Sequence, residues 1–559
     1  MRPLPPPARI LLVGGALAWA LYDAAARAWV CDDAFISFRY ARNLVRGEGL
    51  VFNPGEAVEG YTNFLWTLLT AGGLAAGVEP VRFTLAAGLV AWTGTAGVLL
   101  WASRGIGGML PVAALGWAAF LHGRVFATSG LETALYTLLV TTTLAGAITA
   151  RSERAWAGVG LLGTLATMTR PDGALIYAVA GLSSMTSMAS GSRTRRLLAV
   201  ALPGLALGVP WVSWKLVFYG DLLPNTWYAK GAVGARWGAG LAYLGGFAGA
   251  YWPLLAAIPL GLRAARGAER DLTPGWWSLR APLVLTAALA PTLVYIAKVG
   301  GDFMFARFLV PLTPAALLLV ALGLRLTAQG PQAALGLALF AALLSRATPA
   351  SVRSTPEHPS GVDGVVEERD WYPPEAHREA MRQGARLRWM LADTDATLVY
   401  YGAQAMLMYY ADAPRAIEGH VGLTDHEIAR MPPPEGARTG HGRKTTVPYL
   451  RSRGVDLCPD FRVQQPKAVF ERVDFGEGVT ARLYTWDPAL AATLRARGAD
   501  IVDLPSWIDG WVRTLDSRDP AEVQRTLETL DGVYFGRNPD PERRARIAGW
   551  LAQQGVAPR

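Results

Sequence analysis

The stretch 30-VCDDAFISFRYARNLVRGEGLVFNPGEAVEGYTNFLW-66 contains the feature that organises the whole chain. It begins where a first apolar segment ends, and it places two adjacent carboxylates, Asp32 and Asp33, at that boundary. The next residues predict a short helix with apolar side chains on one face and arginines on the other. A helix of this kind is typical of a membrane interface. The stretch therefore predicts a polar loop, residues 30–61, beside a bilayer.

The composition on either side of this loop divides the chain into two parts. Residues 1–346 are dominated by long apolar runs, whereas residues 347–559 have the composition of an ordinary soluble domain. Only 17% of all residues are charged and 52% are hydrophobic, whereas a soluble protein carries about 25% charged residues. The sequence predicts a mainly α-helical polytopic membrane protein followed by a soluble domain.

The orientation of the membrane part follows from its loops. The apolar segments that are candidate spans are 9–29, 62–78, 83–103, 106–122, 131–149, 155–169, 172–189, 197–218, 238–262, 281–298, 308–326 and 331–346. Short loops rich in arginine stay cytoplasmic, and 150–155, 191–196 and 263–270 are such loops. Residues 30–61 and the C-terminal domain then lie on the extracytoplasmic side. One of the segments 62–78, 83–103 and 106–122, which we take to be 106–122, is expected to enter without crossing, or two of them form one bent unit. Either arrangement leaves about eleven spans.

The second part alternates helical and strand-like patterns. A helical run at 374–391 precedes an apolar strand-like run at 396–403, so we predict a mixed α/β domain at 347–559. The histidines of this domain match no standard metal-site spacing. Cys31 and Cys458 allow a disulfide in an oxidising compartment but form no CxxC pair.

The net charge of +9 does not indicate a nucleic-acid partner. Much of it lies in the short loops between apolar segments, where positive charge sets topology, and no nucleic-acid-binding motif is present. The N-terminal apolar segment lacks a clear signal-peptidase site, so we expect it to remain as the first span.

Asp32 and Asp33 have two interpretations. One of them can cap the helix that follows, because aspartate is a preferred N-cap residue and its charge suits a helix N-terminus. Two adjacent like charges at a membrane surface otherwise require a nearby cation or a proton. A carboxylate in that position can serve as a general base or bind a divalent metal such as Mg²⁺ or Mn²⁺. The residues allow a metal without requiring one, and they indicate no other cofactor.

The other outer loops carry candidates for binding an anionic substrate. Arg307, Lys230 and Arg170 are candidate phosphate ligands, since guanidinium and ammonium groups pair with phosphate. The candidates for contacts with the rest of a substrate are Glu59, Tyr61, Glu132, Asp172, Asn225, Tyr228 and Asp302. Each candidate also has a structural interpretation: a capping or solvated residue at a helix end, a local ion pair, or an anchor at the membrane interface.

The ordered set of motifs resembles a known family. The stretches DDAFISFRYARNLVRG, TSGLETALY, TRPDGAL, YGDLLPNTWYAK, GGDFMFARFLVP and GLTDHEIAR follow one another along the chain. In that order they resemble the bacterial terminal β-(1→2)-arabinofuranosyltransferases, which are C-type glycosyltransferases. The resemblance implies a GT-C-like fold in the bacterial plasma membrane. It also implies transfer of a sugar such as arabinofuranose from a polyprenyl-phosphate donor to an extracytoplasmic glycan, with Asp32 and Asp33 as catalytic groups.

Two functions of other classes compete with this interpretation. A lipid-linked sugar flippase or transporter would carry inverted repeats and helices broken near the membrane centre. The sequence shows no obvious repeat of one half in the other, and its charged residues gather in the outer loops. A non-catalytic scaffold of the cell envelope would tolerate the loss of every loop carboxylate.

Overall fold

A computed structural model of the chain shows two compact units. It describes residues 6–106, 110–186, 192–231, 234–267, 280–325, 331–345, 348–349, 352–353, 364–432, 443, 445–459, 472–483, 487–501, 503–536 and 540–557. The first unit comprises Met1–Gly47, Tyr61–Leu223 and Val233–Pro374, and the second comprises Glu48–Gly60, Pro224–Ala232 and Glu375–Arg559.

The described part of the first unit is helical. The helices up to residue 344, all in the first unit except α12, which is in the second, are α1 Pro6–Ala26, α2 Ala34–Val45, α3 Phe64–Ala75, α4 Pro80–Ile106, α5 Val112–Ala119, α6 Leu121–Val125, α7 Thr133–Thr149, α8 Glu153–Thr169, α9 Gly173–Met185, α10 Arg193–Pro203, α11 Val209–Tyr219, α12 Asn225–Gly231, α13 Trp237–Ala250, α14 Ala257–Gly267, α15 Arg280–Val299, α16 Thr313–Arg325 and α17 Pro331–Leu344. Every apolar segment singled out in the sequence overlaps with at least one of these helices.

Several of these helices are long and apolar enough to cross a membrane. Among the described residues there are four, namely Pro7–Ala26, Pro80–Arg104, Arg193–Tyr219 and Arg280–Val299. A fifth span is possible if α13 and the helical segment after it form one span bent by 95°. The total of about eleven spans stays a prediction, because several remaining helices are shorter than the roughly 20 residues that a perpendicular span requires.

The segment expected to enter the membrane without crossing it is broken in two. Helix α5 has 8 residues and α6 has 5, and Phe120 between them has an extended backbone. Eight residues of helix rise about 12 Å, whereas the hydrocarbon core of a bilayer is about 30 Å thick. Neither piece spans a bilayer alone, in agreement with that expectation.

The predicted helix after the first aspartates is present, but its expected position at a membrane surface is not supported. Helix α2 is buried on both faces: Phe35 and Phe38 are fully buried, and so is Arg39 on the cationic face. An interfacial helix would leave its apolar face to lipid. Helix α2 instead packs inside the first unit, mainly against α3.

The second unit is built on a five-stranded sheet of order β2-β1-β3-β5-β4. The strands are β1 Thr397–Tyr400, β2 Arg415–Glu418, β3 Val455–Cys458, β4 Arg472–Asp474 and β5 Thr480–Leu483. Strand β1 pairs in parallel with β2 and β3, whereas β5 is antiparallel to β3 and β4. The helices of this unit after α12 are α18 Pro374–Leu391, α19 Ala405–Ala411, α20 His426–Arg430, α21 Val447–Ser452, α22 Pro488–Ala496, α23 Leu504–Val512, α24 Pro520–Leu530 and α25 Pro541–Gln553.

Two loops from the membrane half of the sequence belong to the second unit. The side-chain amide of Asn53 pairs with the backbone of Ala416 in the edge strand β2, at 3.0 Å and 2.9 Å. The amide of Asn225 donates to the carbonyl oxygens of Gly422 at 2.6 Å and Asp425 at 3.0 Å. The second unit is therefore not one continuous stretch, and the boundary near residue 346 stays a prediction.

The two cysteines do not form the disulfide that the sequence allowed. Cys31 lies in the first unit and Cys458 at the end of β3, and both are buried and unbridged. Burial raises the pKa of the Cys31 thiol well above its usual value.

Candidate functional site

The centre of the candidate site is the carboxylate of Glu132, at the residue that precedes α7. One of its oxygens, Oε1, lies 3.1 Å from Nη1 of Arg170 and 3.3 Å from Nη2 of Arg307. Burial by itself would raise the pKa of Glu132, but the guanidinium groups of Arg307 and Arg170 outweigh it and hold this pKa at about 2. Glu132 is therefore a buried carboxylate that carries its charge and holds two arginines together.

The second oxygen of Glu132 is held by residues that the sequence analysis missed. Asn63 Nδ2 donates to Oε2 of Glu132 at 3.1 Å. The amide oxygen of Asn63 in turn accepts from the hydroxyls of Ser37 at 3.0 Å and Thr67 at 3.1 Å. Since Ser37 lies on α2 and Asn63 just before α3, this chain connects the first loop to the arginine pair. No spacing rule links these positions, so only the structure reveals them.

Arg307 is presented by a tightly held loop. Its Nη1 lies 3.5 Å from Oδ2 of Asp302, and the preceding Ala306 has a φ of +65°, which is unusual for a residue other than glycine. The hydroxyl of Tyr243 donates to the carbonyl oxygen of Met304 at 3.2 Å and accepts from the amide of Phe308 at 3.2 Å. The loop is thus fixed on both sides of Arg307.

Gly301 lets this loop approach α13. Its φ is +72°, and a Cβ at this position would lie 2.5 Å from the ring of Tyr243. Side chains rarely adopt this φ, and a ring cannot give way at that distance, so glycine is required here.

Two arginines at this site have donors without an acceptor. The Nε–H of Arg307 is buried and has no hydrogen-bond partner. Arg236, which the sequence analysis missed, packs its side chain against Gly300 of the same loop, and its buried Nη1 also lacks a partner. Buried donors in native proteins are nearly always satisfied, and an unsatisfied one requires an explanation such as a bound ligand.

Arg170 confirms the local ion pair predicted for the TRPDG turn. Its Nε lies 3.0 Å from Oδ1 of Asp172, and its guanidinium lies over the rings of Tyr136 and Phe308, 5.4 Å and 4.8 Å from their centroids. Since the same side chain also reaches Glu132, the local pair and the longer-range role coexist.

The first loop lies close to this cluster. The amide of Cys31 donates to the carbonyl oxygen of Ser129 at 2.9 Å, which ties the loop to the segment that carries Glu132. Asp33 is the residue before α2, yet its side chain makes no capping hydrogen bond. Burial would lower the pKa of Arg307, but the carboxylates of Glu132, Asp302 and Asp33 raise it above its usual value. The adjacent Asp32 is buried. The structure therefore brings Asp33 and Arg307 within electrostatic range of each other inside one unit.

The remaining candidates form contacts outside this cluster or lie outside the description. Tyr61 is buried in the first unit, where its hydroxyl lies 3.1 Å from that of Tyr219. Glu59 belongs to the second unit, and its carbonyl oxygen accepts from the amide of Asn225 at 2.8 Å. Tyr228 also belongs to the second unit, with the guanidinium of Arg430 3.8 Å from its ring centroid. The side chain of Lys230 lies outside the described residues.

The GLTDHEIAR segment supplies most of the contacts to α12. Arg430 donates to the side-chain oxygen of Asn225 at 3.2 Å, so the amide of Asn225 is engaged on both sides within the second unit. Roles for Asn225, Tyr228 and Glu59 in binding a substrate stay predictions.

A metal site is not formed by the residues that the structure describes. None of their His, Cys, Asp and Glu side chains come together in a group of three or more that could hold an ion. Asp32 and Asp33 are two carboxylates, and metal sites built by protein side chains ordinarily use more ligands. A role for Mg²⁺ or Mn²⁺ stays a prediction, and no chemical step is derived through it.

The architecture as a whole resembles that of a known C-type glycosyltransferase. ArnT from Cupriavidus metallidurans, solved bound to undecaprenyl phosphate, superposes with a TM-score of 0.51 at 14% identity. The match covers 75% of this chain and 88% of that chain. A similarity at this level of identity concerns the fold alone, and it supports the predicted GT-C-like architecture of a membrane protein.

Relatives in sequence carry the name that the ordered motifs predicted. The terminal β-(1→2)-arabinofuranosyltransferase of Mycobacterium tuberculosis is 32% identical over 333 residues, which are 53% of this chain and 52% of the relative. The enzyme of the same name from Corynebacterium glutamicum is 31% identical over 325 residues, 51% of this chain and 46% of the relative. The chain thus spans about half the length of the curated relatives it matches. No family model matches it.

Proposed function

We propose that the protein is a membrane glycosyltransferase that moves a sugar from a polyprenyl-phosphate donor to a glycan acceptor. Two comparisons support this class: the fold resembles that of ArnT, and the matched relatives are named arabinofuranosyltransferases. Those names make arabinofuranose our proposed sugar. The cationic loops 150–155, 191–196 and 263–270 support an extracytoplasmic position for the site, at the plasma membrane of a bacterium.

One observation carries the proposal for the donor. The Nε–H of Arg307 is a buried donor with no partner in the described structure, although the other two nitrogens of its guanidinium face Glu132 and Asp302. Leaving such a group unsatisfied costs about 1–3 kcal/mol. An anionic oxygen of the donor phosphate is the group that a guanidinium best satisfies, since it accepts charge-assisted hydrogen bonds. Arg170, Lys230 and the missed Arg236 are the further cations proposed to bind it.

The two arginines of the cluster are already in place when the leaving group becomes more negative. The cluster combines the carboxylates of Glu132, Asp172 and Asp302 with the guanidiniums of Arg170 and Arg307. A donor phosphodiester has one negative charge, and cleavage of its bond to the sugar adds charge to the departing phosphate. Arginines already held by Glu132 stabilise this added charge without having to reorganise, which lowers the barrier.

Asp32 and Asp33 are proposed to act on the acceptor. One of the carboxylates removes the proton of the acceptor hydroxyl group. The oxygen of this hydroxyl bonds to the anomeric carbon of the sugar as the bond from that carbon to the phosphate oxygen breaks. The proton ends on the carboxylate and the electron pair of the broken bond on the phosphate. The absence of a capping bond from Asp33 supports this role, because its carboxylate is not engaged by its own helix.

The proposal is tested by replacing both aspartates in the full-length protein reconstituted in liposomes. Because the carboxylates serve as general base, Asp32→Asn together with Asp33→Asn is expected to slow transfer from a polyprenyl-phosphate arabinofuranose donor about 10²- to 10⁴-fold. The control is Glu375→Gln, which alters an exposed ion pair of α18. Unchanged transfer in the double variant would refute the catalytic assignment, and movement of the lipid-linked sugar across the bilayer without any transfer product would favour the transporter.

A further inference from the structure

A short segment of the first unit contacts both the loop that carries Arg307 and the start of the loop that carries Asp32 and Asp33. We name residues 364–372, GVVEERDWY, the strap. The sequence analysis placed it in the C-terminal domain, yet the strap belongs to the first unit. It begins at Gly364 and ends with the 3₁₀ turn Glu368–Trp371 and Tyr372. None of the motifs of the sequence analysis includes it.

The start of the strap holds the loop that presents Arg307. Val366 forms a parallel β-bridge with Met304. The amide of Phe305 donates to the carbonyl oxygen of Val366 at 2.9 Å, and the amide of Val366 donates to the carbonyl oxygen of Phe303 at 2.8 Å. These bonds fix the backbone directly ahead of Ala306, whose φ is +65°. A positive φ at alanine persists only where the surroundings impose it.

Glu367 anchors the strap inside the first unit. Its buried Oε2 lies 2.9 Å from Nε2 of His122 and accepts from the hydroxyl of Thr348 at 2.6 Å. Burial would raise the pKa of Glu367, but His122 and Thr348 outweigh it and bring this pKa to about 2. Because a carboxylate can only accept, Nε2 of His122 carries a proton, and Nδ1 of His122 pairs with the hydroxyl of Tyr251. The anchor is a closed polar network with Glu367 at its centre.

The other end of the strap lies against the start of the first loop. The ring of Tyr372 stacks on Trp29, with ring centroids 6.2 Å apart and an angle of 24° between the planes. Trp29 is itself fixed by a 2.9 Å bond from its indole N–H to the carbonyl oxygen of Val125. Since Trp29 stands three residues before Asp32, this stacking holds the segment that leads into the two aspartates.

We propose that the strap is a positioning element that fixes the separation between the loop of Asp32 and Asp33 and the loop of Arg307. Val366 and Glu367 hold the loop of Arg307 in the geometry that meets the donor phosphate, and Tyr372 holds Trp29 and with it the start of the loop that carries Asp32 and Asp33. A segment of nine residues with one contact at each half of the site keeps both at a constant separation. This inference rests on the proposed function of the same site.

The test separates the two ends of the strap. For Glu367→Ala and the milder Thr348→Val, we expect affinity for undecaprenyl phosphate, used as the probe, to fall about tenfold, the loss typical of one buried hydrogen bond. Glu367→Gln keeps an oxygen that accepts from both partners and should restore most of the affinity. Tyr372→Leu removes the stacking on Trp29 and should lower kcat about tenfold with probe affinity unchanged, whereas Tyr372→Phe keeps the stacking and should retain the wild-type kcat.

A matched control comes from the strap itself. Asp370 pairs with Arg353 at 3.1 Å on the partly exposed side of the same segment, so Asp370→Ala should leave both probe affinity and kcat unchanged. Wild-type affinity in both Glu367→Ala and Thr348→Val, or wild-type kcat in Tyr372→Leu, would overturn the positioning role. Absence of glycosyl transfer by the wild-type protein would instead refute the proposed function; normal transfer by the wild type together with either of those results would refute the strap proposal alone.

Discussion

Acidic residues stand immediately before helices in both units, but those of the candidate site behave differently from those that cap a helix. In the second unit Asp425 accepts from the amides of Glu427 and Ile428, both at 3.0 Å, and so caps α20. The residues that cap their own helices in the same way are Asp487, Asp503, Asp519 and Asp540. In the first unit Asp33 and Glu132 occupy the equivalent position and make no such bond.

This difference shows which carboxylates are available to bind residues or ligands outside their own helix. A capping carboxylate satisfies the first amides of its own helix, which is a local task worth about 1 kcal/mol. Glu132 instead uses its oxygens on Asn63, Arg170 and Arg307, which come from other parts of the chain. Asp172 likewise pairs with Arg170 and does not cap α9. The acidic residues that do not cap are those that build the candidate site.

The largest expected effect is on the rate of glycosyl transfer, when Arg307, a partner of Glu132, is replaced. Arg307→Ala should slow glycosyl transfer about hundredfold or more, since it removes a donor aimed at the developing negative charge. Arg307→Lys keeps the charge without the two-pronged geometry and should recover only part of the rate. Transfer is measured in liposomes, with Arg378→Ala in the exposed pair of α18 as the control. A normal rate for Arg307→Ala would mean that Glu132 only pairs with structural arginines.

The second prediction sharpens the comparison through pH. The pKa of Glu132 is about 2 in the folded protein, below the usual value of 4.5. Ionised Glu132 therefore adds stability above about pH 4.5, and this stability is lost as the pH falls toward 2, because the unfolded chain binds the proton first. The midpoint of thermal unfolding in detergent should fall over this window.

The dependence of the unfolding midpoint on pH has a matched control variant. Glu132→Gln should be less stable at pH 7, because it leaves two arginines without their shared carboxylate, and it should show a weaker slope than the wild type between pH 4.5 and 2. Glu367, whose pKa is also about 2, supplies the slope that remains. An identical slope in Glu132→Gln and the wild type would show that Glu132 is not ionised against the arginines.

The smallest expected effect belongs to a capping residue. Asp519 accepts from the amide of Ala521 at 3.2 Å at the start of α24. Asp519→Ala should lower the free energy of unfolding by about 1 kcal/mol and leave transfer unchanged. Chemical denaturation followed by the fluorescence of the tryptophans checks the first part, and the liposome assay checks the second. A loss of transfer as large as that of the site variants would remove the distinction between the two kinds of acidic residue.

The sequence predicted the helices better than it predicted their surroundings. The apolar runs and the helical pattern at 374–391 correspond to helices, because length and periodicity are local properties. The predicted interfacial position of α2 is not supported, because the sequence shows an amphipathic face but not what covers it. The disulfide that the sequence allowed is not formed, since the presence of two cysteines does not reveal the distance between them.

The candidate site was predicted in part. Glu132, Arg170, Asp302 and Arg307 were singled out from charge at the ends of apolar segments, and the structure brings them together. Asn63 and the residues of the strap were missed, because they bind through side chains or a single β-bridge to segments far away in the chain. Such contacts leave no periodic pattern to detect.

The amino-acid order alone determined that this is a helical membrane protein whose charged loops follow one another in a recognisable series. Hydrophobic length and residue type suffice for that, because each helix and each loop is specified by its own neighbours in sequence. Only the tertiary structure decided which carboxylates cap a helix and which turn to an arginine. That choice depends on the packing of helices distant in the chain, which brings Glu132 to Arg307 and, among the described residues, leaves the Nε–H of Arg307 without a partner.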